Sequence, residues 1–375
     1  VGLLASGIVA LIVAMGIGRF AYTPILPLMK NEAGLGDAFA GVLAAANYLG
    51  YFAGALWSAR PFWRTRRVAT IRWALAAACA TTLAMGFWQN GTAWLVLRFA
   101  SGVASAFVLI LVSSVVLDRA AREGRRWWPG LLYAGVGLGI VLTGALVPAV
   151  ERGGWRATWF VMGALSALLC ALAFAGLREP DALPPRAAAA ADRPSPWRFW
   201  TLMLAYCGDG IGYVIPATFI VAILRATPEL AGAAAFAWIV VGLLAAPSPL
   251  LWDRLAARFG RIPMLALALA ILAAGVVAPV YSRSVAGALF SAAALGLTFM
   301  GITALVNTEA RALFPHSSSR AIGELTAAFG IGQIVGPLIV SAIALRGGSY
   351  ESALLVAGAV LAASVAMLAG GRLAR

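Results

Sequence analysis

Three ionisable side chains, Arg19, Arg98 and Asp209, stand inside long runs of apolar residues. A guanidinium held in such surroundings can grip a carboxylate or another planar anion through two parallel hydrogen bonds. A carboxylate that alternates between water and such a guanidinium can take up and release a proton. Two arginines against one aspartate leave net positive charge, which favours an anionic small molecule. The uncharged polar residues in the same kind of run are Tyr22, Thr23, Asn47, Tyr48, Tyr51, Tyr213, Thr298, Asn307 and Gln333. Side chains of this kind bond neighbouring helices to one another for about 0.6 kcal/mol on average, or line a ligand site. Tyr22, Asn47 and Gln333 stand out because glycines nearby let backbones approach closely.

These residues sit in unusual local sequence. Arg19 lies in Met15-Gly16-Ile17-Gly18-Arg19-Phe20-Ala21-Tyr22-Thr23-Pro24-Ile25-Leu26-Pro27-Leu28-Met29. Two glycines and two prolines predict a kinked or locally opened helix, which a protein interior tolerates and lipid does not. Asp209 is flanked by Gly208 and Gly210, with Gly212, Tyr213 and Pro216 following, which predicts a second broken segment facing the one around Arg19, one acidic and one basic. Three alternatives stay open: Arg98 snorkelling to the membrane interface, Arg19 doing the same, and Asp209 held in a static pair with an arginine. A second group, Asp253, Arg258, Gly260, Arg261 and Glu324, reads as gating or structural, with Glu324 suited to the first turn of a helix. Glu309 reads as a partner for loop arginines, and His316, the one histidine, as a solvated loop residue.

The elements that must position these groups are membrane helices. Hydrophobic residues make up 62% of the 375, charged residues 11%, and the mean hydropathy is +0.91. A soluble chain carries about a quarter charged residues, so this one spans a bilayer several times. The apolar runs predict twelve spans, near 3–29, 38–58, 68–88, 93–117, 128–150, 156–177, 199–224, 231–252, 262–281, 285–308, 321–345 and 351–369. The first run continues for a full span, which argues against a cleaved signal, and Val1 points to a trimmed flank. By helical rise, about 1.5 Å per residue, Arg19 falls near midplane and Arg98 only ~9 Å from the outer end of its span.

A net charge of +14 would suggest nucleic acid in a soluble protein. Here the arginines occupy short segments between spans. If the first residue is cytoplasmic, 20 of the 28 basic residues lie on the inner side, 6 on the outer side and 2 within spans. That bias predicts an inner-membrane protein with both termini in the cytoplasm. Cys79, Cys170 and Cys207 lie in apolar runs and predict neither disulfide nor metal site. No cofactor is called for, no nucleic acid, and the lipid bilayer is the surrounding partner.

The chain also repeats itself. A shift of 195 pairs Lys30 with Arg225, Trp57 with Trp252, Arg66 with Arg261, Arg125 with Arg320, Gly135 with Gly330, Gly137 with Gly332 and Trp155 with Tyr350, while Gly16-Ile17-Gly18 meets Gly210-Ile211-Gly212 at 194. The expected division is a six-helix bundle over 1–177, a cytoplasmic linker over 178–198 rich in proline and alanine, and a second bundle over 199–375.

Over its whole length the chain resembles the major facilitator superfamily, and within it the YbfB/YjiJ-type group. Gly16-Ile17-Gly18-Arg19-Phe20-Ala21-Tyr22-Thr23-Pro24 and Gly330-Ile331-Gly332-Gln333-Ile334-Val335-Gly336-Pro337 carry the likeness. Arg258-Phe259-Gly260-Arg261 fits the end of the superfamily's inner-loop motif; its acidic position falls on Ala257, with Asp253 one turn earlier. The matching loop from Trp57 to Arg67 has no carboxylate. Arg98-Phe99-Ala100-Ser101-Gly102 resembles the Arg-x-x-x-Gly pattern associated with proton-coupled members. The resemblance implies an all-α integral membrane protein of twelve transmembrane helices in two six-helix pseudo-repeats, with helices 1, 4, 7 and 10 around a central cavity.

The expected function is a secondary active transporter that moves a small anionic or carboxylate-bearing molecule by alternating access, coupled to protons and acting as a monomer. An exporter of apolar or aromatic compounds, with Arg98 structural, is the alternative. A membrane-embedded enzyme or sensor fits poorly, since the chain has no metalloprotease His-Glu-x-x-His, no phosphate-cradling glycine loop and no nucleophile paired with histidine.

Overall fold

The computed structural model describes residues 2–58, 60, 62–63, 66–125, 127–178, 196–314 and 318–373. Most of the inter-bundle linker (179–195), His316 and Arg64, Arg126, Arg186, Arg193 and Arg375 lie outside the described residues. The described residues form helices and short connections without strands. Apolar residues on all sides leave the backbone no solvent to bond with, so it must satisfy itself within each helix.

Among the described residues, nine helical stretches are long and apolar enough to cross a membrane. A tenth is the pair Ala231–Ala245 and Ser248–Phe259, bent by 48°. One of the nine, Trp128–Gly176, runs for 49 residues, far more than the ~20 of one crossing. A 3-10 turn at Glu151–Gly153 and a left-handed Gly154 (φ 79°) divide it in two. Arg67–Ala84, the least apolar because of Arg67 and Arg72, completes twelve.

The helices are α1 (Leu3–Ala33), α2 (Asp37–Ser58), α3 (Arg67–Ala84), α4 (Gly91–Arg122), α5 (Trp128–Val150) and α6 (Gly154–Gly176). The second set is α7 (Pro196–Arg225), α8 (Ala234–Ala245 with Ser248–Phe259), α9 (Arg261–Tyr281), α10 (Val285–Leu313), α11 (Ser318–Leu345) and α12 (Tyr350–Leu373). The α8 bend was not expected from the 231–252 span. Pro247 and Pro249 explain it: each lacks an N–H and crowds the carbonyl four residues back. An even number of crossings puts both chain ends on one side, here called the terminal face.

The two sets repeat each other in detail. Asn90 caps α4 by accepting from Ala93 N (3.0 Å), and Ser284 caps α10 by accepting from Gly287 N (3.1 Å). A Cβ on Gly102 of α4 would collide with the Asn47 carbonyl of α2; one on Gly296 of α10 would collide with the Val241 carbonyl of α8. Likewise Gly16 packs directly on Gly139 of α5, and Gly210 of α7 on Phe329 and Gly332 of α11. These counterparts stand 193 or 194 residues apart, so the packed cores depart from the shift of 195: Gly332 of α11 takes the place that Gly139, and not Gly137, holds in α5. Between the sets, α2 packs on α11, α5 on α8 and α1 on α7.

Candidate functional site

The site is built where α1 opens. Ile12–Ile17 form a π-helical turn, with Gly18 N bonding to Val13 O (2.9 Å) and Phe20 N to Met15 O (3.0 Å). The α-helix resumes only at Tyr22. Pro24 has no N–H to offer Phe20 O, which takes Thr23 N instead (3.2 Å). The Gly18 carbonyl is caught from α4, by Ser101 Oγ at 2.9 Å and Arg98 Nη1 at 3.3 Å. Side chains of a neighbouring helix thus satisfy what the break exposes.

The break projects Arg19 into the interior, where it is 4% exposed. Its guanidinium faces the Tyr48 ring at 4.4 Å and the Tyr51 ring at 4.5 Å, with Phe20 at 5.7 Å. Those contacts occupy the faces of the group by cation–π attraction. The edge differs: Nε and Nη2 are both buried and neither has a hydrogen-bond partner. These two N–H groups point side by side, the pair that grips a carboxylate bidentately.

Arg98 is 3% exposed and lies over the Tyr22 ring at 4.6 Å, its Nε unbonded. It therefore does not snorkel, and neither does Arg19. Tyr22 donates to Ala40 O (3.0 Å), and Asn47 Nδ2 donates to Arg98 O (2.9 Å), leaving Asn47 Oδ1 free. Asn47 thus ties α2 to α4 at the crossing Gly102 makes possible.

Across the interface stands α7, which reaches α1 through residues related by the repeat. Thr23 Oγ1 donates to Ala217 O (2.7 Å), and Arg19 lies within electrostatic reach of Tyr213. Both pairs are separated by 194 residues, so the two helices meet about the pseudo-two-fold axis. Gln333 Nε2 donates to the Tyr213 hydroxyl while its Oε1 is unbonded. Tyr206, Phe329, Tyr213 and Phe299 form a ladder of near-parallel rings, with interplanar angles of 14°, 6° and 4°. Phe20 meets Phe299 edge-on at 6.2 Å and Trp238 at 6.3 Å.

Asp209 lies one turn before Tyr213, fully buried, and both of its carboxylate oxygens lack a hydrogen-bond partner. Among the described residues it forms no ion pair, so the static Asp–Arg pair is not what the structure contains. The expectation that a basic and an acidic broken segment face each other also needs correction. α7 runs as one α-helix from Pro196 to Arg225, and Tyr213 is the residue opposite Arg19.

The remaining candidates lie elsewhere. Asn307, with Oδ1 free, is near the terminal end of α10, two residues from Glu309. Glu309 accepts from Arg261 Nε (2.7 Å) and Arg198 Nη2 (3.3 Å), beside a cavity of about 580 Å³ lined also by Thr201, Gly260 and Leu368. Asp253 and Arg258 are exposed, the latter over the Phe259 ring at 5.2 Å. Glu324 pairs with Arg320 at 2.8 Å on an exposed helical turn. Among the described residues no cluster of His, Cys, Asp and Glu could hold a metal ion. The sequence marked Tyr48 and Tyr51 only as polar residues within spans, and the ring partners Tyr206, Phe299 and Phe329 not at all. Part of their signal was spacing: Tyr48 and Tyr51 are three apart, and Tyr206, Asp209 and Tyr213 fall three and seven apart, one helical face each.

Comparison with known proteins places this arrangement. Residues 11–369 match the family described as the uncharacterised MFS-type transporter YbfB. YceJ of Bacillus subtilis (strain 168), an uncharacterised MFS-type transporter, is 27% identical over 176 residues, which is 45% of this chain and 44% of that protein. The crystal structure of a mutant form of the nucleoside transporter NupG superposes with a TM-score of 0.79 at 12% identity, covering 99% of this chain and 100% of the other. A bacterial homologue of the human lysosomal transporter Spinster, in an inward-facing and unoccupied conformation, gives 0.66 at 17% identity, covering 98% and 94%. These likenesses show the fold of multi-pass membrane transporters. The chain belongs to the YbfB-type transporters of the major facilitator superfamily.

Proposed function

We propose that this transporter moves a small carboxylate-bearing anion by alternating access, driven by protons. The observation that carries the reading is the idle edge of Arg19, two buried N–H donors aligned at the meeting of the two halves. A buried donor without a partner costs about 1–3 kcal/mol, more for a charged group, so a structure that keeps two in register implies a visiting acceptor. Arg98 Nε adds a third unsatisfied donor one helix away.

Asp209 supports proton coupling. Burying a charged carboxylate without a donor costs far more than burying a neutral carboxyl, so closure over Asp209 favours the state that has taken a proton. The halves over 1–177 and 199–375 rock about the α1–α7 axis, within one monomer. The 20-to-6 bias of basic residues orients the terminal face to the cytoplasm of a bacterial-type inner membrane.

Proteoliposomes test this directly. Exchange of a labelled carboxylate should fall about 100-fold in Arg19→Gln, the equivalent of ~3 kcal/mol for a charge-assisted pair. Exchange unchanged in that variant for every carboxylate tried would refute the proposal. The parallel ring ladder favours a second reading, export of apolar or aromatic compounds with Arg98 structural. Competition by tetraphenylphosphonium, with no response to carboxylates, would select it.

A further inference from the structure

The ring ladder adds a shape to the carboxylate reading, on which this inference rests. Every other ring pair described in the chain crosses at 40° or more. Only Tyr206, Phe329, Tyr213 and Phe299, drawn from α7, α11 and α10, lie parallel among the described residues. Their centroids are 4.4, 5.4 and 5.7 Å apart in that order. At the Phe299 end the stack meets Phe20, 6.2 Å away and turned by 70°, the residue next to Arg19 and on the other half of the molecule. Parting the halves would withdraw Phe20 and free the Phe299 end of the ladder beside the empty edge of the guanidinium. On the side chain that holds the Tyr213 hydroxyl, Gln333 Oε1 is an unsatisfied acceptor.

From this juxtaposition we infer that the substrate is a planar aromatic carboxylate bearing a ring hydroxyl or ring N–H. The carboxylate takes Nε and Nη2 of Arg19. The ring takes the place of Phe20 against Phe299, gaining an offset-stacked contact that a saturated ring cannot make. The ring donor satisfies Gln333 Oε1, which would otherwise stay unpaired on closure.

Four probes separate the parts, each titrated against the purified protein by calorimetry: benzoate, 4-hydroxybenzoate, cyclohexanecarboxylate and phenol. Benzoate should bind about tenfold tighter than cyclohexanecarboxylate, which has the same charge but a puckered ring. 4-Hydroxybenzoate should bind tighter still, and Gln333→Leu should bring 4-hydroxybenzoate and benzoate to equal affinity. Phe299→Leu should bring benzoate and cyclohexanecarboxylate to equal affinity. Phenol should bind more weakly than any carboxylate. Equal binding of benzoate and cyclohexanecarboxylate by the unaltered protein overturns the aromatic inference and leaves the carboxylate reading standing. Phenol binding as tightly as benzoate, with Arg19→Gln indistinguishable from the unaltered protein, overturns both.

Discussion

α1 and α7 share Gly-Ile-Gly at equivalent positions, and in both the first glycine presses onto the counterpart helix, Gly16 onto α5 and Gly210 onto α11. Only α1 opens. The glycines therefore determine how closely helices approach, and something else determines whether the helix breaks. Pro24 supplies half of the answer, because it withholds the N–H that Phe20 O would accept; its counterpart at a shift of 194 is Thr218. The other half lies on the partner helix. Ser101 and Arg98 catch the carbonyl that the break releases, whereas the counterparts of these residues on α10 are Leu295 and Ala292. A break in α7 would leave a buried carbonyl with no donor, so α7 stays whole despite Pro216. The asymmetry follows into chemistry: the opened helix presents Arg19, and the intact one presents Tyr213 and, a turn earlier, Asp209.

The comparison can be broken most severely by filling the shared close approaches. Gly16→Val and Gly210→Val each drive a side chain into backbone, and both should abolish accumulation of folded protein, as size-exclusion chromatography would show. If Gly210→Val folds normally, the two repeats are not packed alike. A smaller effect should separate the helices. Ser101→Ala removes the 2.9 Å bond to Gly18 O and should cost about 1–2 kcal/mol, read as a lower unfolding midpoint, while Leu295→Ala lacks any such polar component.

The two faces of the molecule offer a finer contrast. Away from the terminal face, polar contacts cross between the halves: Arg225 with Glu151 (2.5 Å), Tyr350 with Asp37 (2.6 Å) and Trp238 with Thr143 (3.2 Å). On the terminal face the pairs Arg198–Glu309, Arg261–Glu309 and Arg320–Glu324 stay within one half. Glu151→Gln should shift the population toward opening on the side opposite the termini, by a few-fold at most for a partly exposed pair, measured as increased thiol labelling in an Ala217→Cys background.

Much of this was legible in the residues. Twelve crossings, the duplication and the buried placement of Arg19, Arg98 and Asp209 follow from hydropathy and from the cost of charge in lipid. What the pattern hid depends on three-dimensional partners. Proline in α7 read as a break because nothing local says that α10 lacks a donor to catch the carbonyl. Arg19 opposite Asp209 read as a natural pair because charge is visible in a sequence, whereas a one-turn offset on a helix face is not. The parallel rings come from three helices, and no spacing within one helix encodes their common plane.

The central claim is a division of labour, in which α1 holds the anion and α7 carries the proton. Its most direct test is transport of labelled benzoate in proteoliposomes, measured as counterflow and as uptake driven by an imposed pH difference. Arg19→Gln should lose both modes, whereas Asp209→Asn should keep counterflow and lose the acceleration by the pH difference. Full counterflow in Arg19→Gln, or undiminished pH-driven uptake in Asp209→Asn, would contradict the account.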